Sequence, residues 1–292
     1  MAFGQLTHTP LNDLSFKDYS RRKTFRTLFR LYQTRPYSNQ AIILKFDRGD
    51  VRTSTNSYGA FYEKHLPGLE HGMLEKVILP DGEEVKIIPG LYDRSVHHFH
   101  SSTIVVSDID DTLVHSFIYK KIRKLRTLMF TTMEKRRAVI NMQALIHNFV
   151  NEGAASVYLS NSEQNLYPII YRFLDHNKFP RGPLFLKQMR SLWDVIWNIK
   201  FPVRDIHKTR TLEDLVSHFP DKKFILMGDN TQHDLSIYLS VAEKFPNNIR
   251  HIIIRKVVEK GYDETFVKNA GETLKANNIT LHYADNFKSL HS

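Results

Sequence analysis

Residues 103–112 read TIVVSDIDDT, and no other stretch constrains the chain as strongly. Thr103, Ile104, Val105 and Val106 are all β-branched, which is the composition of a short buried strand. The strand runs directly into Asp108, Asp110 and Asp111, with Thr112 behind them. Carboxylates a few ångströms apart repel, and burial raises the cost of their charge. A hard divalent ion such as Mg²⁺, which prefers oxygen ligands, removes that cost. The stretch therefore reads as a metal site at the carboxyl end of a sheet, where open α/β folds bind ligands.

The pattern of the remaining chain supports a sheet of that kind. Short apolar runs at 103–107, 155–159, 184–186, 224–227, 249–254 and 279–282 predict strands. Helical patterns lie between them, among them 137–150, 164–175, 211–218 and 263–276. The alternation predicts a parallel sheet with helices on both faces. Before residue 100 the texture is different. AIILKF, VRTS, YGAFYE, LEKVIL and EVKII are short strand candidates separated by turn residues, with Asp81-Gly82 as a two-residue hairpin turn. Residues 1–19 are polar and predict no element. A helix is expected over 20–33, with Phe25, Leu28, Phe29 and Tyr32 on one face and basic residues on the other. The expected fold class is α/β: a Rossmann-like parallel sheet over 101–292, preceded by a small all-β domain, sandwich-like, within 1–100.

Composition excludes several chemistries. Cysteine is absent, so there is no disulfide framework, thiolate metal site or thiol nucleophile. No apolar run is long enough to span a membrane, and the start does not read as a signal peptide. His97, His98 and His100 lack the partner ligands of a zinc site and read better as a polar linker.

The formal charge of +10 is unevenly placed. Residues 1–100 carry 14 Lys/Arg against 11 Asp/Glu, or +3, whereas 119–137 carry eight Lys/Arg and one Glu134, or +7. This second stretch sits in an insertion at about 116–137, between the acidic cluster and the next sheet strand. Ile118, Ile122, Leu125 and Met129 fall on one helical face there, flanked by Lys120, Lys121, Arg123, Lys124 and Arg126. A basic amphipathic helix can lie on an anionic bilayer, or dock on the core with its charged face in solvent. The charge also suits a nucleic-acid phosphate, although no basic groove interleaved with aromatics accompanies it, which disfavours that partner.

Three further features place polar residues at strand ends. VYLSNS (157–162) ends in Ser160 and Asn161, Lys208 stands at an expected helix start, and FILMGDNTQHD (224–234) carries Gly228, Asp229 and Asp234. Taken singly, each has a bland reading: a loop, a solvated helix lysine, a turn or cap residue. Together their types suit phosphoryl transfer. A carboxylate can attack phosphorus to form an aspartyl phosphate, and a second acid can protonate the leaving oxygen. A hydroxyl and a lysine can hold the equatorial oxygens.

Asp108-x-Asp110-x-Thr112, Ser160, Lys208 and Gly228-Asp229-x₄-Asp234, in that order, resemble the four motifs of the haloacid dehalogenase superfamily of phosphatases. SDIDDT, YLSNSEQNLYP, FPRGPLFLK, the HK before LEDL and FPDKKFILMGDNTQHDLSIY are similar to the actin-patch-associated phosphatidate phosphatase family, over about 103–255. The β-rich region also resembles, loosely, the amino-terminal part of bacterial members. The resemblance implies Asp108 as nucleophile and Asp110 as general acid/base. It implies Mg²⁺ on Asp108, Asp229 and the Asp110 carbonyl, with Asp234 as a further ligand or a support. It implies phosphoryl binding by Ser160, Asn161 and Lys208, with Thr112 beside them and Lys187 as a rival to Lys208. The expected activity is Mg²⁺-dependent conversion of phosphatidate to diacylglycerol, in the cytoplasm or at the inner surface of a membrane. Another phosphomonoester substrate and a non-catalytic phospholipid-binding module are the alternatives. Oligomeric state is not legible in the sequence.

Overall fold

A computed structural model describes residues 2–8, 35–63, 68–69, 72–87, 93–96, 99–114, 138–187, 204–258 and 261–287. The helix expected over 20–33, His97 and His98, and the basic insertion at 116–137 lie outside the described residues. The described residues fall into two compact units. One is drawn from 1–98, 162–172 and 186–200, the other from 99–161, 173–185 and 201–292.

The amino-terminal strands are β1 (Ala2–Gln5), β2 (Ala41–Phe46), β3 (Gly49–Ser54), β4 (Ala60–Glu63), β5 (Leu74–Ile78) and β6 (Glu84–Val85). They form a four-stranded sheet in the order β3-β2-β5-β6 and a two-stranded sheet of β1 and β4, all antiparallel. AIILKF alternates as a half-buried strand should: Ile42, Leu44 and Phe46 point into one core with Leu6, Phe61, Leu69, Val77 and Leu79. A hairpin turn forms at this place, but over three residues and not the expected two: Ile78 stands opposite Glu84, the Leu79 N–H donates to the Glu83 carbonyl at 2.9 Å, and the Gly82 N–H donates to the Leu79 carbonyl at 3.0 Å with Gly82 in the left-handed region at φ +87°. β1 corrects the reading of 1–19 as featureless. Its partner strand lies far along the chain, with Ala2 opposite Glu63 and Gln5 opposite Ala60, so no local pattern announces it. Gly4 lets it approach, because a Cβ there would stand 2.8 Å from the Phe61 ring.

From residue 103 the order is β7 (Thr103–Asp108), α1 (Ile140–Asn151), β8 (Ala155–Glu163), α2 (Tyr167–His176), β9 (Leu184–Lys187), α3 (Arg204–His218), β10 (Lys223–Asp229), α4 (Asp234–Lys244), β11 (Ile249–Arg255), α5 (Glu264–Ala276) and β12 (Thr280–Ala284). The six strands form one sheet, ordered β12-β11-β10-β7-β8-β9. β7 pairs parallel with both β8 and β10, and β10, β11 and β12 continue in parallel. The chain winds outward from β7 in one direction, then returns to β10 and winds outward in the other. β7 is thus the point of reversal in a Rossmann-like sheet, and open α/β sheets bind their ligands beyond the carboxyl end of the strand at that point.

All six residues of β7 are buried, so both faces of the sheet are covered. Ile104, Val106, Phe224, Ile225, Leu226, Ile252 and Ile253 are all fully enclosed. At about 1.5–3 kcal/mol for each such side chain, this packing holds the strand ends in place. α5 starts where Asp263 accepts from the N–H groups of Thr265 and Phe266, an N-cap of the expected kind. α3 differs from its expectation: it begins at Arg204, not near 211, so Lys208 sits within the helix and not at its start. Residues 204–210 carry no apolar periodicity from which this could be read.

Candidate functional site

The carboxyl ends of β7 and β10 bring Asp108 and Asp229 together, and the first residue of α4 adds Asp234. All three side chains are buried, and their oxygens lie within 4.8 Å of one another. Gly228 makes this possible: a Cβ there would stand 2.6 Å from Asp234 Oδ2. In its absence Asp234 turns back toward β10 and accepts from the Asp229 N–H at 3.2 Å.

Lys208, from α3, is the cation of this cluster. Its Nζ lies 2.6 Å from Asp108 Oδ1 and 2.6 Å from Asp234 Oδ1, with 1% or less of each side chain exposed. Thr112 Oγ1 stands 3.2 Å from both Asp108 Oδ2 and Asp229 Oδ2, so its hydroxyl proton can serve either strand. Thr231 donates to Asp229 Oδ1 from both its N–H and its hydroxyl. Asp110 is set apart from the three-acid group. Its Oδ2 accepts from Ser160 Oγ at 3.3 Å; β8 runs on to Glu163, past the end expected at 159, so Ser160 and Asn161 lie within the strand. Asn161 follows, half-buried, and its Oδ1 meets no hydrogen-bond donor among the described residues. Lys187 ends β9.

One ammonium against three carboxylates leaves two negative charges uncompensated in a dry site. Burial pushes the Asp108 carboxyl well above its ordinary range; Lys208 opposes this, and Asp234, Asp229 and Asp110 add to it. Burial, then Asp234, pushes Asp229 up to about 7 against the Thr231 hydrogen bonds and Lys208. Burial acts to lower the Lys208 pKa, but Asp108 and Asp234 outweigh it and hold the ammonium above the usual lysine range. The three carboxylates could hold a metal ion, and an all-oxygen donor set with unneutralised charge fits a hard divalent cation.

The turn after β7 is tightly built. Asp111 is buried in the left-handed region at φ +55°, and the Leu113 N–H closes on the Ile109 carbonyl at 2.9 Å. Val114 then forms an antiparallel bridge with Ala138.

Several supporting residues escaped the sequence reading. Arg255 Nη1 donates to the Asp111 carbonyl at 2.7 Å. Asn230 accepts from the Val257 and Val258 N–H groups and donates to the Val258 carbonyl and Tyr283 Oη. Tyr262 Oη donates to the Gln232 carbonyl and accepts from the Leu235 N–H. Each joins residues far apart in the chain, so the only available signal was adjacency of Asn230 and Gln232 to the acidic motif.

The fold and the site define a Rossmann-like α/β protein with a buried carboxylate–lysine cluster at the switch point of its sheet. The model of the family described as phosphatidate phosphatase APP1, catalytic domain, matches residues 103–256. The chain belongs to that family. It is 31% identical over 153 residues to phosphatidate phosphatase APP1 of Saccharomyces cerevisiae, covering 52% of this chain and 25% of that protein. It is 24% identical over 235 residues to an uncharacterized protein of Schizosaccharomyces pombe, covering 79% of this chain and 38% of that one. The chain thus spans well under half the length of these curated relatives. No solved structure matches. Among the described residues, no helix is long and apolar enough to cross a membrane.

Proposed function

We propose that the chain is a Mg²⁺-dependent phosphatidate phosphatase of the haloacid dehalogenase type. The observation that carries this reading is the cluster of Asp108, Asp229, Asp234 and Lys208 in a chain of this family. Asp108, Asp229 and Asp234 would hold the ion, with the Asp110 carbonyl as a further ligand. When bound, it offsets the repulsion between the carboxylates and the phosphate dianion.

The residues of the chain then divide the work. An Asp108 oxygen attacks phosphorus, and the bond from phosphorus to the ester oxygen breaks. Asp110, protonated and steadied by Ser160, gives its proton to that oxygen and releases diacylglycerol. Asp110 next takes a proton from water, whose oxygen attacks the phosphorus of phospho-Asp108. Inorganic phosphate leaves and Asp108 is restored. Lys208, Ser160 and Asn161 hold the equatorial oxygens, and Thr112 keeps Asp108 and Asp229 in line. Lys120, Lys121, Arg123, Lys124 and Arg126 would seat the chain on an anionic membrane at the cytoplasmic side, and the 1–100 region would be a separate β domain.

Phosphate release from phosphatidate in mixed micelles and from p-nitrophenyl phosphate, with Mg²⁺, tests the reading. Release from phosphatidate, reduced about 10³-fold or more in Asp108→Asn, is expected. Release from the soluble ester alone would discard the lipid substrate. Activity retained in Asp108→Asn would discard the phospho-aspartate route, and no release from either compound would discard the enzyme.

A further inference from the structure

Arg255 ends β11 in register with Asp229 at the end of β10. Neighbours in register on parallel strands present their side chains on the same face, so the guanidinium stands on the side of the Asp229 carboxylate. It reaches across the crevice to the other acid-bearing loop, where Nη1 donates to the Asp111 carbonyl at 2.7 Å. Asp111 directly follows Asp110 and holds a left-handed conformation, φ +55°, that a non-glycine residue keeps only when its surroundings impose it. A charge-assisted hydrogen bond to its carbonyl is such an imposition.

The backbone around Arg255 is tied to Asn230 by hydrogen bonds. The Asn230 N–H donates to the Arg255 carbonyl at 3.1 Å, and the Asn230 side chain takes the next free N–H groups, of Val257 and Val258, at 2.7 and 3.1 Å. Arg255 is half-buried; burial disfavours its charge, while Asp229, Asp111 and Asp285 support it. In register with Asp229 and on the same face of the sheet, it places a positive charge on the side of the carboxylate that β10 contributes to the candidate metal site.

We propose that Arg255 is a positioning residue that couples the two acid-bearing loops: it fixes the turn carrying Asp110 through the Asp111 carbonyl, and its charge weakens divalent-cation binding beside Asp229. The inference rests on the phosphatase reading of the site. It has two consequences of opposite sign. Loss of the guanidinium lets the Asp110 turn relax, so turnover falls. Loss of the same positive charge lets the carboxylates hold a divalent cation more tightly. A merely structural lesion would weaken both.

The test uses the full chain with Arg255→Met and Arg255→Lys, with Mg²⁺ titrated by isothermal calorimetry and phosphate release followed on phosphatidate micelles and p-nitrophenyl phosphate. In Arg255→Met, kcat should fall about 10- to 100-fold with KM within about twofold, because a small misplacement of a reacting group is costly. In the same variant the Kd for Mg²⁺ should tighten about 3- to 10-fold. Arg255→Lys keeps the charge without the fork, so its Kd should match the unmodified protein while kcat lies between the other two. An unchanged kcat in Arg255→Met, or a Kd for Mg²⁺ that is equal or weaker, would overturn the proposal. If the unmodified chain releases no phosphate, the phosphatase reading fails separately; calorimetry then still decides whether Arg255 opposes the cation, and an unchanged Kd would overturn that as well.

Discussion

The antiparallel and parallel sheets of this chain treat charge in opposite ways. In the first, Lys45 meets Asp50 at 3.6 Å and Lys76 meets Glu84 at 2.9 Å, with about half of each side chain in solvent. In the second, Lys208 meets Asp108 and Asp234 with essentially nothing exposed. Water screens the first pairs, so they add little and cost little. The second cluster must bear a desolvation penalty of roughly several kcal/mol per ion. Its cation is outnumbered, so mutual attraction does not repay that penalty. A chain that conceals charge at the point where its strand ends converge gives up stability there, whereas the exposed pairs of the antiparallel sheet cost little.

The contrast can be broken by experiment, and Lys208→Met should have the largest effect. It leaves buried Asp108 and Asp234 without the ammonium they share, so metal-free protein should lose roughly 3–5 kcal/mol of stability. Urea unfolding with and without Mg²⁺ would measure this. The ion should restore part of the loss, while phosphate release stays abolished. A variant as stable as the parent in both conditions would mean that the buried cluster carries no strain.

A smaller effect is expected at the edge of the parallel sheet, where His282 Nε2 lies 3.3 Å from His251 Nδ1. Burial, then His282 and Arg250, lowers the His251 pKa to about 4. At His251 the folded chain then binds fewer protons than the unfolded one between about pH 4 and 6.5, so the contribution of this group to stability is full above 6.5 and declines as pH falls through that window. The group is only partly shielded, so the loss is on the order of 1 kcal/mol. His251→Gln should flatten this part of the stability–pH curve. An unchanged slope would remove His251 from the account and narrow the contrast to the acid cluster alone. Least of all should follow from Lys76→Met in the antiparallel sheet: its thermal midpoint should match that of the parent, and a clear drop would erase the distinction between the two sheets.

Much of the parallel sheet was legible because its signals are local. Its strands are short apolar runs bounded by polar residues, and the observed β7, β10 and β11 differ from expectation by one or two residues at their ends. The place of the hairpin at Asp81-Gly82 was legible for the same reason, although its loop has three residues and not two, because the pairing of Leu79 with Glu83 and not the Asp-Gly pair sets its length. β1 was not, because a strand that completes itself against Ala60–Glu63 owes its existence to that partner. The start of α3 was missed because the face it buries there is a lysine held by carboxylates, which no hydrophobic period reports.

By itself the sequence determined that acids would cluster after a buried strand, and in what order the four polar motifs would come. Those are properties of neighbouring residues, and strand propensity and charge repulsion act over that range. Tertiary structure alone decided which acids meet. It set Asp234 against Lys208 across 26 positions, Thr112 against Asp229 across 117, and Arg255 against Asp111 across 144. It also decided that the cluster would be dry, which raises the proton affinity of Asp108, while the close approach of Asp108 and Asp234 raises that of Lys208 against its burial. Burial is conferred by the whole sheet and its helices, and no window of the chain contains it.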